Sequence, residues 1–443
     1  MTMTARDVPR TPQTAEPGGA VALGAGPNEG VVRDLSRRRG EPEWLLRLRL
    51  RGLEGFRSEH LPPWASFLHD TDFDEMIGPG TVDEDERGAP PPALTPGLTA
   101  LAASEDAYRA IRKDLESHGI RFYSLSSAVN RIPDRIKEHL ASVVPPDDPI
   151  ASLNAALWTE GSFVYVPPGA SASVPLQAEI REDYAGVEPF ERNLIVADRE
   201  SEVTYIEGCT APVYTPERLH LSAIEIVALP DSHSRYIALQ NFAKEVDNLV
   251  TKRAQVHAGA SIEWVDVNLG SRRTNKVPRA DLVGPGASAE FIGFTLAGRG
   301  QSEEVGAEMV HRAPRTRSRI ANQAVVLKGG RSALHSGVRV VVGATQVASS
   351  VEWSALMLDS DSRVETIPGI EVDEADAEIA QEGKVRKVGE EMLFYMASRG
   401  VTEEEATRMV VLGVATAATR RIPVEYAVEV DRLIELELGG GIG

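Results

Sequence analysis

A single cysteine, Cys209, carries the most nucleophilic side chain available, in the stretch Glu207-Gly208-Cys209-Thr210-Ala211-Pro212. A thiolate can attack and accept sulfur, and glycine and proline nearby read as a turn, where a thiol is accessible. The plainer reading is a small buried hydrophobe. One cysteine excludes an internal disulfide and an all-cysteine metal site within one chain. His311, in Met309-Val310-His311, and His335 could be metal ligands, although a lone histidine on a strand is more often simply hydrogen-bonded. Gly284-Pro285-Gly286 and Lys328-Gly329-Gly330-Arg331 could cradle phosphate only at a helix N-terminus. No helical pattern follows either, so both read as turns. There is no phosphate loop, dinucleotide fingerprint, His-Glu-x-x-His or nucleophile elbow, and the expectation is a protein that is not an enzyme.

The elements that must position these residues change character along the chain. Residues 1–29 are rich in Pro, Gly, Ala and Thr and are expected to be a disordered tail. A helical domain is expected over 30–150. Leu45, Leu46, Leu48, Leu50 and Leu53 alternate there with Arg47, Arg49 and Arg51, a basic face best read as solvated. Residues 79–97 read as a linker, and further helices are expected near 104–118 and 133–142. From about Ala156 the period falls to 2, giving short strands from Phe163–Val166 to Val351–Leu358 with no helix between them. A β-helix core over 151–387 is expected. Near Val388 the helical period returns. Thr402 opens a capping box and Pro423 starts the last helix, so 388–443 is expected to be a helical domain that closes the open end of the strands.

A repeated corner decides the architecture. Gly169-Ala170-Ser171, Gly259-Ala260-Ser261, Gly286-Ala287-Ser288 and Gly343-Ala344-Thr345 are separated by 90, 27 and 57 residues. These are three, one and two units of roughly 27–30, the mark of a solenoid whose coils stack. The fold class is therefore α+β, a central β-solenoid between two helical domains. A net charge of −19 argues against nucleic acid and anionic membranes as partners. No apolar run reaches the ~20 residues of a membrane span, and no signal-peptide pattern opens the chain, so a cytoplasmic location is expected.

Taken together, the motifs resemble the SufB/SufD family, scaffold subunits of the SUF iron–sulfur cluster assembly machinery. The likeness runs from about Asn28 to Gly443. It is carried by Gly40-Glu41-Pro42-Glu43-Trp44, Gly161-Ser162-Phe163-Val164-Tyr165-Val166-Pro167-Pro168-Gly169, Phe190-Glu191-Arg192 and Asn248-Leu249-Val250-Thr251-Lys252-Arg253-Ala254. Leu393-Phe394-Tyr395 and Glu425-Tyr426-Ala427-Val428-Glu429 complete it, and the motif around Cys209 points to the SufB branch. The resemblance implies a right-handed β-helix and an ABC-type ATPase, SufC, docked on the C-terminal helices. It also implies a SufD-like subunit or second copy joined through the β-helix. Cys209 would accept sulfur, and Arg181, Gln240 and Lys252 would line an internal track to an assembly site. A transient iron–sulfur cluster is implied, as is FAD held through the complex, for which the chain has no motif.

Departures from the family pattern gather at the assembly site. Trp353 stands where a cysteine is usual, and Ala380-Gln381-Glu382 replaces Glu-His-Glu, leaving Glu382 as a residual iron ligand. Asp183 replaces asparagine and Phe242 replaces tryptophan. An indole offers iron no lone pair, and a glutamine amide is a poor ligand beside imidazole or thiolate. The sequence supports a SufB-type scaffold first. A degenerate paralogue that only organises the complex comes second, and a carbohydrate-active β-helix enzyme is a remote third, because no carboxylate cluster marks the β region.

Overall fold

The computed structural model describes residues 27–58, 60–62, 65, 68, 115–159, 161–172, 174–181, 190–210, 218–387, 394–396 and 398–439. The linker 79–97, most of the tail 1–29 and the start of the 104–118 helix lie outside them. Strands alternate between two sheets as the chain advances. One sheet stacks eight parallel strands, from Leu176–Arg181 to Glu378–Lys387. The other runs from Ser162–Val166 to Arg363–Val372, and Arg121–Ser124 joins it antiparallel at its edge. Each strand pairs with the strand one coil later. Glu202 pairs with His233, His233 with Ser261, Ser261 with Ser288, Ser288 with Arg317, Arg317 with Ala348 and Ala348 with Glu378. The β-solenoid expected from the corner repeat is what the chain forms.

The corners show why the repeat was legible. Gly169, Gly259, Gly286 and Gly343 all have φ between 68° and 90°, a region L-residues avoid. Ala260, Ala287 and Ala344 are fully buried behind them. Gly259 N–H donates to the Pro285 carbonyl at 3.0 Å and Gly286 N–H to the Pro314 carbonyl at 3.1 Å, so corners pair from coil to coil. Gly284-Pro285-Gly286 and Lys328-Gly329-Gly330 are such corners.

Helices flank the solenoid at both ends of the sequence. Glu29–Arg38, Glu43–Ser58 and Pro149–Leu157 pack over its first coils, with Leu53, Phe56, Leu153 and Leu157 against Phe190, Leu221 and Leu249. Asp148 caps the third of these through Ile150 N–H and Ala151 N–H, and Pro149 fills N1. The basic face needs correction at one residue. Arg49 is fully buried, bidentate to Glu41 at 2.6 and 2.7 Å and stacked 4.5 Å over Trp158. A guanidinium survives there because a carboxylate and two main-chain carbonyls satisfy it.

The C-terminal pair, Glu403–Thr419 and Val424–Leu438, has the expected Thr402–Glu405 capping box and the proline start. It does not close the open coil. Val411, Ala415, Ala418, Val430 and Ile434 lie on the outer face of the eight-stranded sheet, against Val265, Val267, Ile292, Phe294 and Val325. Burying the valines and isoleucine there is worth ~1.5–3 kcal/mol each. Arg421, between the two helices, pairs with Glu263 at 3.3 Å and Glu290 at 3.6 Å. The last strands, Arg363–Val372 and Glu378–Lys387, keep Ile367, Ile370, Val372 and Val385 exposed.

Candidate functional site

The inward side chains of the solenoid are not all apolar. Cys209 is the second-last residue of the strand Glu202–Thr210, paired with Ile180 and Gln240, and not a turn residue. Pairing with coils on both sides overrides the local signal of Gly208 and Pro212. Its side chain, like that of Arg181, lies outside the described residues. Arg181 pairs with Thr210, one position from Cys209. The register thus puts Cys209 and Gln240 in one row on adjacent coils, and Arg181 in the next row with Thr210 and Asn241. Lys252 approaches from the opposite sheet.

From Gln240 a hydrogen-bonded chain runs through the interior. The Gln240 amide donates to Ser271 Oγ at 2.9 Å and Thr274 Oγ1 at 3.1 Å. Its carbonyl accepts from Asn248 at 2.5 Å and from Lys276 Nζ at 3.4 Å. Asn248 Oδ1 accepts from His220 Nδ1 at 2.7 Å. Lys252, buried to 1 % exposure, donates to Asp266 at 2.8 Å, and Lys276 approaches the other Asp266 oxygen at 3.7 Å. Burial favours the acid form of Asp266, but the two ammonium groups outweigh it and hold the carboxyl below its ordinary value. The Lys252 ammonium also sits 4.8 Å over the Tyr236 ring, in an aromatic wall where Tyr236 stacks on Tyr205 at 5.2 Å and meets Trp264 at 5.5 Å.

Sequence reading missed most of this chain. Glu207 is buried, and its pKa is pushed up to about 7 by desolvation and by Glu191, with Lys252, Tyr236 and His220 pulling back. Asn193 bridges the two carboxylates at 2.6 and 3.0 Å. One register row, His220, Asn248, Thr274, Glu303 and Ser332, lines successive coils of one sheet. The signal was available only once coil length was known. His311 is a satisfied core residue, bonded to Thr316 at 2.7 Å and Ser318 at 2.9 Å, and burial lowers its pKa to about 4. His335 bonds Glu304 at 2.7 Å.

The far end is different. Trp353 pairs with Gly383 and lies over it; a Cβ on Gly383 would fall 1.9 Å from the indole. Gln381 and Glu382 are exposed on the last strand, and Glu382 pairs with Lys384, which lowers its pKa. Among the described residues no group of three or more His, Cys, Asp or Glu is placed to hold a metal ion. Phe242 is buried, its ring 4.9 Å from His220.

Comparison with known proteins decides the family. Residues 181–414 match the model "SUF system FeS cluster assembly, SufBD core domain". The chain is 41% identical over 438 residues to an iron-sulfur cluster assembly SufBD family protein of Staphylococcus haemolyticus, covering 94% of each chain. This protein belongs to the SufBD family. SufBD family proteins of Staphylococcus epidermidis and Staphylococcus aureus are each 40% identical over the same share. The matched span of the SufBD core begins at Arg181 and takes in Cys209, the whole polar interior from Glu191 to Glu303, and Trp353. Among the described residues no helix is long and apolar enough to cross a membrane.

Proposed function

We propose that this SufBD-family chain is a SufB-type scaffold, not an enzyme, that takes up sulfur at Cys209 and passes it into the β-helix interior toward iron. One observation carries the reading: Cys209 is in register with Gln240, and Gln240 is joined by hydrogen bonds to a buried chain holding Lys252 and Lys276. A persulfide is an anion, and amide and ammonium donors in a dry interior stabilise it. The partners fit two surfaces. A SufC-type ATPase would dock on the C-terminal helices, where Met409, Val424 and Val428 are exposed. A SufD-like subunit or a second copy would pair with the uncovered last coil, whose edge strands present Ile367, Ile370 and Val385. The setting would be cytoplasmic, with Glu382 a residual iron ligand at the edge of that coil. Anaerobic reconstitution with ferrous iron and a small persulfide donor, in place of free sulfide, tests the role of the thiol. Wild type should develop a visible-range cluster spectrum that Cys209→Ala loses, and an unchanged spectrum would sink it.

A second reading is favoured by Trp353. The indole lies against Gly383 where the family pattern places a thiolate, so the chain would organise its partners without completing a cluster. Intact ATPase binding with neither iron nor sulfur bound would select it.

A further inference from the structure

Glu303 is a buried ionisable group that the sulfur-transfer reading leaves without a task. It is 1 % exposed, and no well-formed hydrogen bond reaches either carboxyl oxygen among the described residues, although Thr274 is close enough to favour its charged form. It stands within the polar row, paired in register with Thr274 on one side and Ser332 on the other. Lys276 lies two residues beyond Thr274 on the same strand and shares Asp266 with Lys252, so two ammonium groups face one carboxylate. We propose that Glu303, Lys276 and Thr274 form an interior station for a small soft monoanion of hydrosulfide size. The proposal rests on the sulfur-conduit reading for its ligand, hydrosulfide set free when two equivalents of an external thiol reduce the Cys209 persulfide to the thiol and become a disulfide, though the station itself would bind without Cys209.

The charges support an anion in this place. Burial pushes the Glu303 pKa up to about 8, with Thr274 and Lys276 offsetting only part, so near neutrality it is a carboxylic acid with a proton to donate. The groups facing it are Lys276 and Thr274 from the preceding coil and Ser332 from the following one, with Asp266 beyond Lys276. With Glu303 neutral, the Lys276 ammonium shares one carboxylate, Asp266, with Lys252, and an anion beside it would add a charge partner in a medium where bare charge is costly. Above its pKa, Glu303 would supply that negative charge itself and expel the ligand.

Crystals of the full chain equilibrated anaerobically with sodium hydroselenide report the site through the anomalous signal of selenium. We expect a peak beside Lys276 and Glu303 at about pH 6.5 that falls severalfold at about pH 9.5. Lys276→Met should abolish it, Glu303→Gln should keep it at both pH values, and Cys209→Ser should leave it unchanged. No wild-type peak, a peak indifferent to Lys276→Met, or one occupied by bromide but not hydroselenide would overturn the proposal. Loss of the peak in Cys209→Ser would show that the ion needs the cysteine to reach or occupy the site, overturning an independent station. Cluster formation measured separately in that variant tests the conduit reading, so the two can fail apart.

Discussion

Replacing Glu303 with glutamine should remove the pH dependence that this one buried carboxyl imposes on the fold. Its ordinary value is 4.5, and burial raises it to about 8 in the folded chain. A carboxyl whose folded pKa is raised binds its proton more tightly in the native state. Stability from this group is therefore full below about pH 4.5 and is lost as pH rises through about 8. A difference of about 3.5 between the two values, at ~1.4 kcal/mol for each, gives a loss on the order of 5 kcal/mol. Glu207, raised to about 7, acts with the same sign and is present in both proteins, so the comparison isolates Glu303. Urea unfolding of wild type and Glu303→Gln, followed by intrinsic fluorescence, gives the stabilities at about pH 5, 7 and 9. At the lowest pH they should agree within ~1 kcal/mol; at the highest the variant should be more stable by ~3–5 kcal/mol. Parallel pH profiles would refute the reasoning, because they would mean Glu303 titrates alike in the folded and unfolded chains.

Two further outcomes follow from the packing. Asp266→Ala leaves Lys252 and Lys276 without their shared carboxylate and should cost ~3–5 kcal/mol in the same assay. The double variant Lys252→Met with Asp266→Leu should recover much of that, and strict additivity would argue against the buried pair. Gly270 and Gly286 both have φ above 70°, but a Cβ at Gly270 would lie 1.8 Å from the Phe242 carbonyl oxygen while Gly286 has open space. Gly286→Ala should lose only the ~1–2 kcal/mol of left-handed backbone, and Gly270→Ala clearly more by thermal melting.

The solenoid was legible because its corners are local. Gly259 and Gly286 need left-handed backbone, and the alanines behind them need to be small, so both requirements sit in three consecutive residues. The interior chemistry was not, because its partners are distant. Lys252 meets Asp266 across the two sheets, 14 residues away, and Thr274 meets Glu303 only through the coil register. Polar residues at inward positions also break the alternation that marks a strand, as Glu303 and Asn322 do. The last two strands escaped for the opposite reason: open to solvent, they have no buried face to impose a period. Cys209 was placed in a turn by its glycine and proline neighbours, where pairing with Ile180 and Gln240 makes it a strand residue. Family resemblance supplied Gln240 and Lys252, and only the structure shows what they bond.

The central claim is that sulfur held at Cys209 leaves through Gln240 and its hydrogen-bonded neighbours. Mass spectrometry of the full chain after exposure to a small persulfide donor, then to ferrous iron, follows both steps. Wild type should gain one sulfur on Cys209, the donor leaving as its thiol, and discharge it as sulfide while two ferrous ions supply the two electrons and become ferric. Gln240→Leu should load equally but discharge at least about tenfold more slowly, a barrier increase of ~1.4 kcal/mol. Discharge of Gln240→Leu at the wild-type rate, or a persistent sulfur gain in Cys209→Ser, would contradict the account.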